Sequence, residues 1–350
     1  MKTKYLTIKD YLSGLIKKGR DGDPLPSESE LCSLMSASRI TVRRAIDELD
    51  KGGMIYRHKG KGFFIRETEK IKVPLQIAIG AASKIPFSEK IISGCMKFAN
   101  ENCLGVHFFS TRWTPREIEK VLSQYDFNGI IGIAPYLKDY ITLENLRQRG
   151  VPVLIINRIE KNTHYSYVSS DHENTAFRIT EYLLKKGHRN IAFFGHSCMV
   201  PLSKNFLAGY LKAFQLSGLK PPPSSITDIP ETAEEDFFRQ AGKYFSRIMK
   251  KNKYDSLVIS SQRFFTESAL PFLNEKGIRI PQDVEIALCD ELPAGSIYEN
   301  CIHEASQPFE RLGFLGMEKM VNIIRGTEGK VNTLVPVEIK FKDVNKDCGK

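Results

Sequence analysis

From residue 75 onward, the chain alternates short apolar runs with longer stretches of helical periodicity. A short apolar run between polar segments is typical of a buried strand, and strands that alternate with helices favour parallel sheets covered by helices. The runs form a first series, LQIAIG (75–80), VHFF (106–109), GIIGIA (129–134) and PVLIIN (152–157), and a second, NIAFFG (190–195), SLVIS (256–260) and VEIALC (284–289). Two series of this kind predict a two-lobed α/β domain with parallel sheets.

Helical periodicity fills the intervals between these runs. Apolar residues that recur every three or four positions indicate a helix with one buried face. The predicted helices lie near 88–101, 115–124, 139–149, 172–186, 204–217, 234–250, 264–276 and 309–325.

The first 65 residues differ, because short helices are followed there by a hairpin. Ser27 and Glu30 have the spacing of a capping box, in which each side chain bonds the backbone N–H of the other residue at a helix start. Ser38 is expected to cap a third helix, which ends near Lys51 before two glycines. The hairpin has a basic, glycine-rich tip at residues 59–62. These elements predict a small α+β unit of three helices and a hairpin.

Excess positive charge is concentrated in this N-terminal unit. The chain carries a formal net charge of +10, and residues 1–72 hold 16 Lys/Arg against 10 Asp/Glu. A compact positive unit attached to a nearly neutral one indicates binding to a polyanion. The charged segment that ends at Pro74 is interpreted as a linker. The predicted organisation is a small α+β unit at 1–66, a linker at 67–74, a two-lobed α/β domain at 75–340 and a tail at 341–350.

Arginines at the start of the third helix are the candidates for reading DNA bases. A helix that begins at Ser38 fits the major groove with its N-terminal turn toward the bases. Arg39 and Arg43 share one face, and each could donate two hydrogen bonds to a guanine. Glycine at the hairpin tip lets the backbone approach the minor groove, and lysine follows its negative potential. The full set of predicted DNA contacts is Ser27, Ser38, Arg39, Thr41, Arg43, Arg44, Lys59, Gly60 and Lys61.

The stretch 25–65 resembles the winged helix-turn-helix of the gluconate-repressor (GntR) family. The residues that carry the resemblance are Leu25-Pro26-Ser27-Glu28, Leu31, Ser38-Arg39, Thr41-Val42-Arg43-Arg44-Ala45, Leu49, Gly53, Arg57 and Gly60-Lys61-Gly62. The resemblance implies sequence-specific binding to double-stranded DNA. Ser29 stands where the family often has arginine, so the operator preference cannot be copied from a relative.

Residues 75–340 are similar to the effector domain of the lac/galactose-repressor family, which itself resembles periplasmic sugar-binding proteins. The residues that carry the similarity include Phe127 to Ile131, Val151-Pro152-Val153, Gly187 to Phe193, Gly277 to Pro281, Asp290 and Gln307-Pro308. Together with the N-terminal unit, this domain resembles the arabinose-repressor type of chimera.

The resemblance implies that a ligand binds between two lobes, at the carboxyl ends of strands. The ligand contacts that it implies are Phe87, Asn157, Phe237, Asp290 and Gln307. Asp290 would accept hydrogen bonds from ligand hydroxyls, and the aromatic side chains would stack on an apolar ring face. Core packing is the alternative for Phe87 and Phe237, and a helix or turn cap is the alternative for Asp290.

Two departures from the family concern the ligand. Phe206 occupies the position of a usual arginine, and Ser261-Gln262-Arg263 replaces a usual Ala-Asn-Asp. Both positions normally help to hold a sugar, so Phe206 and Arg263 are added to the predicted effector contacts. Arg263 could recruit a carboxylate or phosphate, or it could lie on the surface of a pocket that has decayed. The expected effector is a small molecule, either carbohydrate-like or acidic.

Other protein classes have little support in the sequence. No run approaches 18 apolar residues, which argues against a membrane span, and charges throughout the first 20 residues argue against a secretory signal. The seven cysteines contain no C-x-x-C pair, so no metal site is expected. The sequence lacks the nucleophile-elbow, zinc-protease, P-loop and dinucleotide motifs, so neither an enzyme nor a cofactor is expected.

The sequence therefore predicts a cytoplasmic, homodimeric transcription regulator, a repressor, whose affinity for its operator changes when an effector binds. Dimerisation is inferred from the family and from the two-fold symmetry of typical operators. Two alternatives remain open. One is a DNA-binding regulator that works without an effector because its pocket has decayed, and the other is a solute-binding receptor.

Overall fold

The structure is a computed structural model that describes residues 4–20, 22–51, 54–58, 60–66, 74–81, 87–110, 126–135, 139–158, 164–195, 201–227 and 237–343, together with a few single positions. Contacts divide the chain into two units, Met1–Leu75 and Gln76–Lys350. The predicted linker, except Pro74, the predicted helix at 115–124, except two single positions, and Lys59 lie outside the described residues.

The first unit consists of three helices and a hairpin in its described part. These are α1 (Lys4–Lys18), α2 (Glu28–Met35), α3 (Arg39–Lys51), β1 (Ile55–His58) and β2 (Gly62–Ile65), and the two strands pair antiparallel. Ser27 and Glu30 form the predicted capping box, with the Ser27 N–H donating to Glu30 Oε2 at 2.7 Å and the Glu30 N–H donating to Ser27 Oγ at 3.3 Å. The core draws on every element and includes Ile8, Leu12, Leu31, Val42, Ala45, Ile46, Leu49, Ile55, Phe63 and Ile65.

The second unit alternates strands and helices along the chain. Its first part contains β3 (Gln76–Ala81), α4 (Ser88–Glu101), β4 (Gly105–Ser110), β5 (Gly129–Ile133), α5 (Asp139–Gln148), β6 (Val153–Ile156) and β7 (Ser166–Ser170). Its middle part contains α6 (His172–Lys185), β8 (Ile191–Phe194), α7 (Pro201–Leu216), α8 (Phe237–Lys251), β9 (Ser256–Ile259), and a π-helix (Phe264–Ala269) continued by α9 (Leu270–Glu275). The last elements are β10 (Glu285–Leu288), β11 (Ile302–Ser306), α10 (Phe309–Ile324), β12 (Asn332–Val335) and β13 (Glu338–Lys340).

The strands of the second unit form two separate sheets, which confirms the predicted two-lobed α/β fold. Within the described residues, one sheet has the order β12-β7-β6-β5-β3-β4 and the other β13-β11-β10-β9-β8. Neighbouring strands are parallel except β11 and β13, which are antiparallel. The chain passes between the sheets after β7, after β11 and after β12, so three connections join the lobes.

Candidate DNA-binding and effector sites

Helix α3 buries one face in the first unit and presents its charged face to solvent. Val42, Ala45, Ile46 and Leu49 are at most 1% exposed, whereas the side chains of Arg39, Arg43 and Arg44 are exposed. The helix therefore has the two faces that a recognition helix needs, with buried anchoring residues on one side and exposed hydrogen-bond donors on the other.

The N-terminus of α3 is capped as the sequence predicts. The Thr41 N–H donates to Ser38 Oγ at 3.3 Å, and the two hydroxyl oxygens lie 2.9 Å apart. The remaining free N–H groups of the first turn and the positive end of the helix dipole favour a phosphate at this end. Ser38, Arg39 and Thr41 thus lie together at one helix start.

Intramolecular contacts orient two of the three arginines. Arg43 Nε lies 3.2 Å from both carboxylate oxygens of Glu28 on α2, and the Arg44 guanidinium lies 4.9 Å from the ring centre of Tyr5. Ser27 is adjacent to Glu28 in the chain, so it lies close to the same surface. An exposed ion pair contributes little free energy, and Arg43 can exchange its carboxylate for a base edge.

The hairpin tip has the backbone conformation that its glycines allow. Gly60 has φ +79° and Gly62 has φ +103°, both in the left-handed region that glycine adopts without strain. Gly60 and Lys61 are exposed. The contacts of these two residues with DNA, like those of the other predicted DNA-binding residues, stay predictions.

In the second unit, predicted effector residues follow the carboxyl ends of parallel strands. Asn157 follows β6, Asp290 follows β10, and Gln307 follows β11. Asn157 is only 2% exposed and has φ +58°, a left-handed conformation that asparagine tolerates better than most residues. The carboxyl ends of parallel strands are the common location of ligand sites in α/β folds.

Buried polar atoms without a hydrogen-bond partner are concentrated at these strand ends. Each belongs to a residue at or just after a strand end, or in the helix that follows one. In the part of the chain that the structure describes, they are Ser88 Oγ, Asn157 Oδ1, Ser170 Oγ, His172 Nδ1, Asn205 Nδ2, Ser260 Oγ and Gln307 Oε1. Buried polar groups in folded proteins nearly always have partners, so this set makes the strand ends the candidate site for a polar ligand.

Asp290 is held by the backbone of two neighbouring loops. The Gln262 N–H donates to its Oδ2 at 3.2 Å, and the Glu291 N–H donates to its Oδ1 at 3.1 Å. Burial raises the pKa of Asp290 to about 6, and the two backbone hydrogen bonds act in the opposite direction. Glu291 also lies 3.5 Å from Lys90 on α4, so an ion pair joins the two lobes beside Asp290.

Comparisons with known proteins agree with both halves of this description. Residues 4–65 match the family described as bacterial regulatory proteins, gntR family, and residues 180–343 match a periplasmic binding protein-like domain. The chain is a GntR-type DNA-binding domain joined to a periplasmic-binding-protein-like domain. In the described part of the molecule, the strands and helices between Gln76 and the start of this match belong to the same compact unit.

Two curated relatives are similar to this chain over most of their length. The arabinose metabolism transcriptional repressor of Halalkalibacterium halodurans is 26% identical over 83% of this chain and 81% of its own. That of Geobacillus stearothermophilus is 23% identical over 92% of this chain and 91% of its own. A solved structure, the transcriptional regulator CelR-cellobiose complex, is 19% identical, covers 88% of this chain and 90% of its own, and has a TM-score of 0.67. The similarity to this solved structure is a similarity of fold alone.

The sequence alone did not single out several of the polar residues at the strand ends. Ser88, Ser170, His172, Asn205 and Ser260 were not among its candidates. His172 is 1% exposed, its Nε2 lies 3.4 Å from Ser169 Oγ, and its ring centre lies 4.7 Å from that of Phe206. The only available sequence signal was position, since most of these residues stand where a predicted strand ends or the next helix begins.

The pH dependence of stability should report the burial of His172. Burial, with a smaller contribution from the charge of Arg158, lowers the pKa of His172 to about 3. Because the unfolded chain binds a proton near pH 6.5 and the folded chain does not, the free energy of unfolding should fall by up to about 1.4 kcal/mol per pH unit below 6.5. This loss should continue to about pH 3 and should be absent in His172→Gln. Urea unfolding of both proteins between pH 7.5 and 4 measures it, and equal slopes would contradict the assignment.

The aromatic candidates and Arg263 have partners within the periplasmic-binding-protein-like domain. Phe87 stacks on Phe309 with ring centres 4.8 Å apart, and Phe206 is 2% exposed. Phe237 is 8% exposed and packs among the rings of the second lobe. The Arg263 guanidinium pairs with Glu267 at 2.5 Å and lies 4.0 Å from the ring centre of Phe238. These contacts give Phe87, Phe206 and Phe237 packing partners and give Arg263 an ion-pair partner. The contact of all four residues with an effector stays a prediction.

Among the described residues, no group of three His, Cys, Asp or Glu side chains is arranged to hold a metal ion. None of the helices described is long and apolar enough to cross a membrane. The curated relatives named above are transcriptional repressors rather than enzymes.

Proposed function

We propose that this protein is a cytoplasmic transcription repressor that binds a specific DNA operator as a homodimer and responds to a small polar effector. The DNA-binding half of the proposal rests on one observation, the exposed arginine face of a capped helix whose opposite face is buried. A homodimer fits because helix-turn-helix regulators read pseudo-palindromic operators, in which two half-sites match a two-fold symmetric protein.

A carbohydrate-like effector is favoured by the chemistry at the strand ends. The unpartnered atoms of serine, asparagine, glutamine and neutral histidine are uncharged donors and acceptors, which suit hydroxyl groups. The ionised Asp290 would add a strong acceptor for hydroxyl donors. An acidic effector depends on Arg263, whose guanidinium already pairs with Glu267. The names of the relatives, which refer to arabinose and cellobiose, support a sugar.

The effector would act through the two lobes. A ligand changes a conformational equilibrium only if it binds one arrangement of the lobes more tightly than the other. The proposed effector contacts include polar atoms from both lobes, Asn157 from the first and Ser260 from the second. One bound molecule would therefore favour the arrangement of the lobes in which both residues contact it. The operator affinity of the dimer would change with that arrangement.

Selection of bound DNA from a random pool tests the DNA-binding half. We expect one preferred, pseudo-palindromic sequence that is bound at least about 10³-fold more tightly than random DNA at the same salt concentration. Binding that depends steeply on salt concentration but shows no sequence preference would contradict the proposal. Any protein that contacts phosphates shows such salt dependence, so it is not evidence of a specific operator.

A screen of neutral sugars, sugar acids and sugar phosphates for release of the selected operator tests the effector half. Release by a neutral sugar supports the proposed class. A sugar acid or phosphate whose effect is lost in Arg263→Ala would support the acidic class instead. If no compound changes operator binding or the melting temperature, the regulator works without an effector.

Effector affinity should depend on pH through Asp290. Because the pKa of Asp290 is raised to about 6 by burial, its carboxylate form is fully present above this pH and is lost below it. We expect the effector to bind roughly tenfold more weakly at pH 5 than at pH 7.5, as measured by calorimetry. Asp290→Asn should bind more weakly at pH 7.5 and show little pH dependence. A flat profile in the unsubstituted protein would rule out this role.

A further inference from the structure

One apolar side chain lies at the centre of the cationic face of α3. Ile40, the second residue of the helix, is 82% exposed, the highest value among the large apolar side chains that the structure describes. Its chain neighbours are Arg39 and Thr41, and Arg43 and Arg44 are one turn away. Residues three and four apart lie side by side on a helix, so the isoleucine is flanked by arginines.

Helix geometry shows how directly Ile40 points away from the domain. Successive residues are rotated by about 100° around a helix axis. On this basis the buried residues Val42, Ala45, Ile46 and Leu49 have a mean direction that lies roughly 180° from Ile40. Arg43 and Arg44 then lie on either side of the isoleucine. Any partner that docks on this face must meet Ile40 at its centre.

The folded first unit gives no reason for an isoleucine at this position. Its side chain takes no part in the core of the unit, and a β-branched residue has no advantage over a polar one in the first turn of a helix. Single exposed apolar residues are common on protein surfaces. This one differs because it occupies the middle of the surface that would enter the major groove.

In the major groove, the apolar group on a base edge is the C5-methyl group of thymine. We infer that Ile40 contacts a thymine methyl and thereby selects thymine beside the bases that Arg39 and Arg43 read. This inference rests on the proposed function, since it requires α3 to lie in the major groove. It adds an apolar contribution to specificity that the arginines cannot provide.

Replacement of thymine by deoxyuridine tests the inference, because uracil lacks only the methyl group. In the selected operator, each thymine is replaced singly, and binding is measured by fluorescence anisotropy. At one thymine per half-site, we expect the replacement to weaken binding by the unsubstituted protein roughly three- to tenfold, as for the loss of one buried methyl group. Ile40→Ala should bind the thymine operator and the deoxyuridine operator equally, and Ile40→Val should keep part of the preference for thymine.

Ile297→Ala is the matched control, since Ile297 is an exposed isoleucine (78%) of the second unit and its replacement should leave discrimination intact. Melting curves check folding, which should be unchanged because both side chains are exposed. If no thymine responds, or if Ile40→Ala still discriminates as well as the unsubstituted protein, the inference is wrong while the proposed function stands. A pool that yields no preferred sequence would overturn both.

Discussion

Arg39→Ala and Arg43→Ala should each weaken binding to the selected operator by about 1–3 kcal/mol, or roughly 5- to 150-fold, with a much smaller effect on random DNA. The reason is that a guanidinium can donate two hydrogen bonds to the O6 and N7 atoms of one guanine, which a truncated side chain leaves unpaired. Both arginines are exposed on α3. Each substitution should also relax the preference for guanine at one position of each half-site.

Arg44→Ala provides an informative contrast. The Arg44 guanidinium lies over the Tyr5 ring, and we expect the residue to make a phosphate or flanking contact. Its loss should weaken binding to specific and random DNA alike and lower the slope of affinity against salt concentration by about one unit. Anisotropy titrations at several salt concentrations separate the two outcomes. Arg178→Ala, at an exposed arginine of the second unit, is the control and should change neither quantity.

The assignment of Arg39 and Arg43 would fail if their alanine variants lost affinity equally for every DNA sequence. They would then contact only phosphates, and base recognition would have to come from other residues. If Arg43→Ala alone behaved in this way, Arg43 would contact only phosphate and Arg39 would remain the base-reading arginine of α3.

Gly94→Ala should cause a large loss of stability in the second unit, about 3 kcal/mol or more in the free energy of unfolding. Helices α4 and α10 approach so closely that a Cβ atom on Gly94 would lie 1.8 Å from the backbone oxygen of Glu310 and 2.9 Å from the backbone nitrogen of Phe314. Gly313 faces α4 in the same way, 1.9 Å from the Ile91 oxygen. Backbone atoms cannot rotate aside as a side chain can, so the helices would have to separate.

Gly242→Ala is the matched control for this substitution. Gly242 lies within α8 of the same unit, and a Cβ there would meet its nearest atom at 3.5 Å, an ordinary contact. Alanine favours the helix over glycine by up to about 1 kcal/mol, so this variant should be unchanged or slightly more stable. Urea unfolding followed by circular dichroism compares the two proteins. Equal transition midpoints would show that the helices can move apart without cost.

Gly94→Ala should affect the effector site more than the DNA-binding unit. Ser88 begins α4, and Gln307 precedes α10, so separation of these helices displaces two of the unpartnered polar groups. The first unit has its own core. We therefore expect Gly94→Ala to weaken effector binding more than it weakens binding to random DNA.

Local interactions determined the helix caps, the arginine face of α3 and many of the strands of this protein. The capping box of Ser27 and Glu30, the cap at Ser38 and the arginine face of α3 depend on residues within one or two helical turns, so the sequence was sufficient to predict them. The apolar runs that became β3, β5, β6, β8, β9 and β10 could be read in the same way, since a continuous apolar run suits a strand covered on both faces. The i,i+4 spacing of Arg263 and Glu267 also offered a local signal for their ion pair.

Tertiary contacts decided the remaining features. Strands β7, β11, β12 and β13 were not predicted, because their short sequences contain polar or charged residues such as serine, asparagine, histidine or glutamate and become strands only through pairing with distant segments. Thus β7 contains the fully buried Ser169 and Ser170, and β13 pairs with β11. The helix predicted at 264–276 begins instead as a π-helix, for which the local sequence carries no signal.

The effector site shows the same division. The family resemblance implied Asn157, Asp290 and Gln307, and the predicted strands placed Asn157 and Asp290 at strand ends, but whether a polar atom is buried without a partner depends on segments far away in the chain. His172 and Phe206 are in contact across 34 residues, and the raised pKa of Asp290 has burial as its main cause. Burial and hydrogen-bond pairing are properties of the packed molecule, because water is excluded only once distant elements close over a group.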